Sequence, residues 1–323
     1  MSLPVHGTDG FYPPLALFIN GRWEGADGRS TRAVVNPATE AEIGRLPEAT
    51  DADIDAAIDA ARLALPAWRQ FTPQQRGEFL FKAAALMRER RETIAQTITL
   101  ELGKPITQSR VEIERMTALF EWHASEGCRV YGRIVPAREG LEAKVVREPV
   151  GVVAAFTPWN GPGASPSRKI SAALAAGCCV VIKPAEETPG SAIHIARCLA
   201  DAGLPPGVMN MVFGQPARIS ERLIASPVVR SFSFTGSVPV GRALAELGAR
   251  HLKPGEQRPE VHVVEGGLFQ PASDYTGMAS RTHLRFDLSG GGRKRSSVTS
   301  TVGIPAYRRS SAFAMMFRDL ISG

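Results

Sequence analysis

The chain has 323 residues, enough for one large domain or two ordinary ones, and its 44% apolar and 22% charged residues are ordinary for a soluble globular protein. A net charge of +6 is small for this length and comes with no long basic block, which argues against a nucleic-acid partner. Four cysteines (Cys128, Cys178, Cys179 and Cys198) form no C-x-x-C pattern and have no nearby histidine pair, so no metal site is expected and a reducing compartment fits. The first twenty residues lack a basic start and a long apolar core, and apolar runs such as Val180–Ile182 are far too short to cross a bilayer. The expectation is a cytoplasmic protein with no membrane partner.

Residues 1–14 are polar and rich in Pro and Gly and read as a loose leader. Leu15–Trp23 reads as extended chain turning at Asn20-Gly21, a strong hairpin dipeptide, and Asn36–Thr39 is a second turn, so a small β arm is predicted. Helices follow. Thr50–Asp53 offers capping side chains ahead of Ile54, Ile58, Ala61 and Leu65 at helical spacing. A second helix starts near Pro73, carries Phe79, Leu80, Ala83, Leu86 and Met87 on one face, and runs on through Ile94 and Ile98 to Gly103. A third covers about 109–127. Arg133–Val150 reads as two extended segments joined around Glu139-Gly140.

Then the period changes. Strands are predicted at 151–156, 178–182, 208–213 and 229–234, alternating with helices at 167–176, 190–202, 218–225 and 238–250. Such alternation implies parallel strands joined by right-handed crossovers, an α/β fold with a doubly wound, Rossmann-like sheet. Beyond Pro254 this regularity stops. Glu260–Val264 could be one strand and Ala312–Leu320 one short helix. Residues 265–310, with the Gly/Arg/Ser tract at 290–297, keep neither period, so 255–323 reads as an unrelated, poorly ordered tail.

Three short signatures sit where strands hand over to helices: Phe156-Thr157-Pro158-Trp159-Asn160, Lys183-Pro184-Ala185-Glu186 and Phe234-Thr235-Gly236-Ser237. That edge of an open α/β sheet is where nucleotides bind. Gly236 lets backbone approach a phosphate and Ser237 offers a hydroxyl at a helix start; taken alone, an ordinary N-cap after a glycine turn is the favoured reading. Lys183 with Glu186 could grip ribose hydroxyls or be a solvated surface pair. Asn160 could donate to a developing oxyanion or be a turn asparagine beside a structural Trp159. Gly161-Pro162-Gly163 lacks the third glycine of the dinucleotide fingerprint, since position 166 is Pro.

In order and placement these segments, with FINGRW (18–23), NPAT (36–39), LELGKP (100–105), the run 131–160, the run 168–189 and SFTGSVPVGR (233–242), resemble the aldehyde dehydrogenase superfamily, in particular its succinate-semialdehyde type. The likeness covers about 15–254. It implies an NAD-binding domain there, oxidation of an aldehyde to a carboxylic acid, and a small-molecule aldehyde as substrate. It assigns Asn160 as an oxyanion donor and Lys169 as a lysine of the catalytic tunnel. It assigns the cofactor to Phe156, Thr157, Pro158, Trp159, Lys183, Pro184, Glu186, Gly214, Phe234, Thr235, Gly236, Ser237 and Val240. A carboxylate at Glu186 repels a ribose 2′-phosphate, so NAD is expected over NADP. The segment 133–150 resembles the hairpin through which such proteins form homo-oligomers.

The resemblance also shows what to look for after His251: a Glu-Leu-Gly-Gly strand with the general base, then a nucleophilic cysteine that forms a thiohemiacetal. No cysteine follows Cys198, and Glu265-Gly266-Gly267 echoes the motif with one residue lacking. The chain therefore reads as truncated or frame-shifted after about residue 254. Three outcomes compete: an active dehydrogenase, a catalytically dead NAD-binding fragment, and an unstable or partner-dependent product with an exposed sheet edge.

Overall fold

The computed structural model describes residues 10–136, 141–259, 280–288 and 297–302. They fall into two compact units: one comprises 10–131 and 148–259, the other is built on 132–147 and strands from 281 onward.

The first unit opens on a hairpin of β1 (Leu17–Ile19) and β2 (Arg22–Glu24), with Asn20 and Gly21 both at positive φ (51° and 76°), as a type I′ turn requires. A second hairpin pairs β3 (Thr31–Val35) with β4 (Glu42–Pro47) around the Asn36–Thr39 turn. The helices α1 (Asp51–Gln70), α2 (Pro73–Glu89), α3 (Arg91–Leu102) and α4 (Ile106–Gly127) follow. The first two begin with complete capping boxes, Thr50 with Asp53 and Thr72 with Gln75. The helix expected to run unbroken from Pro73 to Gly103 is two helices that share Arg90 as cap (φ −92°, ψ 16°). No Gly or Pro marks this break. Arg88 is held by Glu121 on α4 and Arg90 by Asp201, so packing rather than propensity sets the bend. The third predicted helix begins at Ile106, a turn earlier than its apolar pattern suggests.

β5 (Arg133–Val135) and β6 (Leu141–Pro149) form the expected antiparallel pair; the 139–140 connection lies outside the described residues. Next come β7 (Val152–Phe156), α5 (Ala164–Ala175), β8 (Cys179–Lys183), α6 (Pro189–Asp201), β9 (Met209–Met211), α7 (Pro216–Ala225), β10 (Val229–Gly236), α8 (Val238–Arg250) and β11 (Gly255–Pro259). The main sheet has the order β11-β10-β7-β8-β9-β1-β2, with β7 to β11 parallel and the first hairpin added antiparallel beside β9. The first hairpin of the β arm is thus part of the main sheet, while β3 and β4 form a separate two-stranded sheet. β7 and β8 are buried along their whole length, as parallel strands covered on both faces must be. α5 packs between the sheet and α2 and α4, α6 packs against α2 and α3, and α1 packs with α7 and the sheet.

Two expectations about the region after Pro254 are corrected. Gly255–Pro259 adds a further parallel strand beside β10, so the sheet continues past the predicted boundary. The tail also contains two strands, β12 (Ser280–Leu288) and β13 (Ser297–Val302), paired antiparallel in the second unit's four-stranded sheet β13-β12-β6-β5. Ser297–Val302 mixes serines with β-branched Val and Thr, a strand-favouring composition without an apolar face strong enough to read from sequence. The strand expected at 260–264, the helix at 312–320 and Glu265–Gly267 lie outside the described residues.

Candidate cofactor-binding edge

From β7 the chain moves to β8 and β9 on one side of the sheet, then returns to place β10 and β11 on the other. The topological switch point therefore lies between β7 and β10, where open α/β sheets leave a crevice beyond the strand ends. Register aligns the signatures there: Phe156 of β7 pairs with Lys183 of β8 on one side and Phe234 of β10 on the other. Thr157 N donates to Lys183 O at 3.3 Å, tying the first two turns together. The Thr157 hydroxyl is buried without a hydrogen-bond partner.

Lys183 and Glu186 are not the solvated pair that sequence alone allowed. Both are buried, with the ammonium 2.6 Å from one carboxylate oxygen and 2.7 Å from the other. Glu186 Oε1 also accepts from Gly214 N at 3.2 Å. Gly214 has φ +136°, a conformation that L side chains rarely adopt, so it is the residue type that suits this turn. Pro184 is buried beside the pair.

Helix N-termini at this edge are treated differently. Glu112 of α4 accepts from Gly163 N (2.9 Å) and Ala164 N (3.1 Å) at the start of α5, and is itself paired with Lys104. Glu101 of α3 accepts from Gly190 N (2.6 Å) and Ser191 N (3.0 Å) in the first turn of α6. These carboxylates occupy the donors that would otherwise attract an anion. α8 has no side-chain cap: Ser237 is its exposed N-cap, Pro239 has no N–H, and Val238 and Val240 are the first amide donors. Gly236 lies so close to the Phe234 ring that a Cβ would sit 2.5 Å from it. Trp159, Val238 and Val240 are all about half exposed at this edge.

Asn160 is exposed in the turn after β7. Lys169 of α5 is buried and donates to Ser233 Oγ of β10 at 2.8 Å, so it spans the switch point from the helix side. Thr235 is half-buried at the end of β10. The thiols of Cys178 and Cys179 are pushed up by burial, and that of Cys198 to about 11 for the same reason, so none is a ready thiolate. Cys128 is free and exposed at the end of α4. Among the described residues no group of three metal-ligating side chains occurs, and no helix is long and apolar enough to cross a membrane. Sequence reading missed the roles of Glu101 and Glu112. Their signal was an acidic residue on a buried helix face, which only burial identifies as a cap for another helix.

The class that the fold defines is an α/β protein with a mostly parallel sheet, and its candidate site lies at the switch point, beside a buried Lys–Glu pair and an open helix start. The aldehyde dehydrogenase family model matches residues 23–256, and the chain belongs to that family. It is 45% identical over 238 residues to a 4-(hydroxymethyl)benzenesulfonate dehydrogenase of Comamonas testosteroni, covering 73% of this chain and 50% of that protein. It is 42% identical to an NADP-dependent succinate-semialdehyde dehydrogenase of Escherichia coli K12, covering 73% and 49%. Among solved structures, a succinate-semialdehyde dehydrogenase of Burkholderia pseudomallei superposes with TM-score 0.75 at 38% identity over 77% of this chain and 52% of that one. A betaine aldehyde dehydrogenase of Staphylococcus aureus in complex with NAD+ does so with TM-score 0.73 at 31% identity, covering 76% and 49%. The chain spans about half the length of the curated relatives it matches.

Proposed function

We propose that this chain binds NAD across the carboxyl edge of β7, β8 and β10 and is the cofactor-holding part of an aldehyde-oxidising machinery. The observation that carries this reading is the register that sets Phe156, Lys183 and Phe234 side by side, next to a helix start left without a side-chain cap. Lys183 and Glu186 would hold the adenosine ribose, with Gly214 and Pro184 shaping the turn. Val238 and Val240 amides with Ser237 would take the pyrophosphate, and Val240 would pack the adenine side. Phe156–Trp159 and Phe234–Gly236 would line the nicotinamide half. The unpartnered Thr157 hydroxyl and the uncapped α8 fit a ligand rich in oxygen acceptors. Bound NAD supplies a hydride acceptor. Asn160 would donate to the substrate oxygen, and Lys169, held by Ser233, would border the tunnel.

The substrate class follows from the relatives' names. 4-(Hydroxymethyl)benzenesulfonate, the semialdehydes of succinate, glutarate and aspartate, and 3-sulfolactaldehyde, the compounds in those names, all carry an anionic group. Turnover is not expected from this chain alone: no cysteine follows Cys198, and burial keeps Cys178, Cys179 and Cys198 from acting as nucleophiles.

The test is to incubate the full chain with NAD and succinate semialdehyde, follow NADH absorbance, and measure the unfolding midpoint with NAD alone. A midpoint raised by NAD without NADH formation supports the reading. Turnover above a heat-killed control returns the active-enzyme reading, and the absence of a cooperative transition returns the unstable-product reading.

A further inference from the structure

A second polar cavity lies away from the cofactor edge, where the segment after Gly10 crosses α6. Its volume is about 700 Å³, and its lining includes Trp23, Arg90, Thr93, His194, Arg197 and Asp201. The lining holds two arginines and one carboxylate: Arg90 and Arg197 both interact with Asp201, Arg90 in direct contact at 2.5 Å, while Glu89 acts on Arg90 from outside the lining. The Arg197 guanidinium lies 5.4 Å from the Trp23 ring centroid, and its Nε is buried with no hydrogen-bond partner. A buried guanidinium N–H left unpaired is costly unless an acceptor arrives.

The opposite requirement comes from His194. Thr97 spends its one hydroxyl hydrogen on Thr93 O at 3.0 Å, so His194 Nε2, also 3.0 Å from that hydroxyl oxygen, is the donor. Nδ1 is then a bare acceptor. Burial lowers the imidazole pKa to about 3, which keeps it neutral at physiological pH. The cavity therefore offers guanidinium donors and one imidazole acceptor in the same wall.

We propose that this cavity binds a small oxyanion that also carries a hydroxyl, of which hydrogen phosphate is the simplest. Its charged oxygens meet Arg197 and Arg90, and its hydroxyl donates to His194 Nδ1. Sulfate has the same shape but no hydroxyl at neutral pH, so it is the discriminating control.

Calorimetric titration of the full chain with inorganic phosphate tests this. One saturable site is expected, with sulfate several-fold weaker. Arg197→Gln should weaken phosphate by about tenfold or more, the loss of a charge-assisted hydrogen bond. Arg90→Gln should weaken it by a smaller factor, and since Arg90 is part-exposed this variant carries the test if Arg197→Gln does not fold. Unfolding midpoints without phosphate confirm that each titrated variant is folded. Absence of phosphate uptake by the parent chain overturns the proposal, as does unchanged affinity in a folded Arg197→Gln or Arg90→Gln. Phosphate held as tightly as before in both variants would mean that it sits elsewhere, at the start of α8 for example.

Discussion

Glu101, near the end of α3, takes both the backbone N–H (3.0 Å) and the hydroxyl (2.6 Å) of Ser191 in the first turn of α6. Tyr12 O–H (2.8 Å) and Gly190 N (2.6 Å) complete its shell. This one side chain thus fixes the helix that follows the Lys183–Glu186 turn, and Gly190 is required there because a Cβ would sit 2.8 Å from Glu101 Oε1.

The carboxyl is fully buried, and burial raises its pKa from 4.5 to about 7 against the lowering effect of its four donors. A raised pKa means that the folded state holds the proton more tightly. The contribution is fully present below pH 4.5 and is lost as pH rises through about 7. A shift of this size is worth about 3 kcal/mol. Urea unfolding of the parent should show this fall between those limits. Glu101→Gln should lack it and be less stable throughout, because an amide NH2 then faces donors. Equal pH slopes for the two proteins would reject the assignment.

Much of the sheet was legible because its strands are buried on both faces and its helices amphipathic: Val152–Phe156 and Cys179–Lys183 announce themselves as apolar runs. Capping side chains and the Asn20-Gly21 turn were equally readable, being local in sequence. Partners far apart in the chain were not. The break at Arg90 depends on Glu121 and Asp201, 33 and 111 residues from the arginines they hold, and β11 is a strand because β10 offers it an edge, though Gly255–Pro259 has no strand-like pattern. At the site, residue types and order named the turns, but the choice between a solvated and a buried Lys183–Glu186 pair needed the packing of Gly214 against them.

Asp53 closes the capping box of α1 and also accepts from Arg29 at 2.6 and 2.9 Å. Burial pushes its pKa up, but hydrogen bonds from Arg29 and Thr50 outweigh this and hold it at about 2. A depressed carboxyl pKa stabilises above the unfolded value of 3.8, and this is lost as pH falls through about 2. Asp53→Asn should cost about 1–2 kcal/mol at neutral pH, in the range of a lost cap, with the difference from the parent shrinking toward pH 2. Chemical denaturation across that range checks it; a difference that persists at the acid end would contradict the sign.

Gly207 turns the chain into β9 at φ +81°, and a Cβ there would lie 2.6 Å from Ala60 O of α1. Both the backbone conformation and a rigid carbonyl oppose a side chain. Gly207→Ala should lower stability by about 2–4 kcal/mol, more than the small gain such a change gives at a compatible site. Denaturant midpoints measure this, and a neutral result would mean that α1 and this turn are not in contact as described.

The Lys183–Glu186 pair bears on cofactor choice. Glu186 is buried, held by Lys183 and Gly214 N, so its charge cannot swing away from a ligand. In the proposed pose, a ribose 2′-phosphate would be brought against this fixed carboxylate, whereas a 2′-hydroxyl could donate to it. Relatives include a protein named for NADP and one solved with NAD+. Glu186→Gln keeps the shape and the acceptor for Gly214 while removing the charge. The ratio of NADP to NAD affinity should rise by about tenfold or more, through tighter NADP as well as weaker NAD. Leaving Lys183 without its counter-ion should also lower the unfolding midpoint, because breaking a buried pair costs about 3–5 kcal/mol. Titration of both cofactors into parent and variant, with the midpoint recorded separately, keeps the two effects apart. An unchanged ratio in a folded variant would place the 2′ position of the ribose away from Glu186.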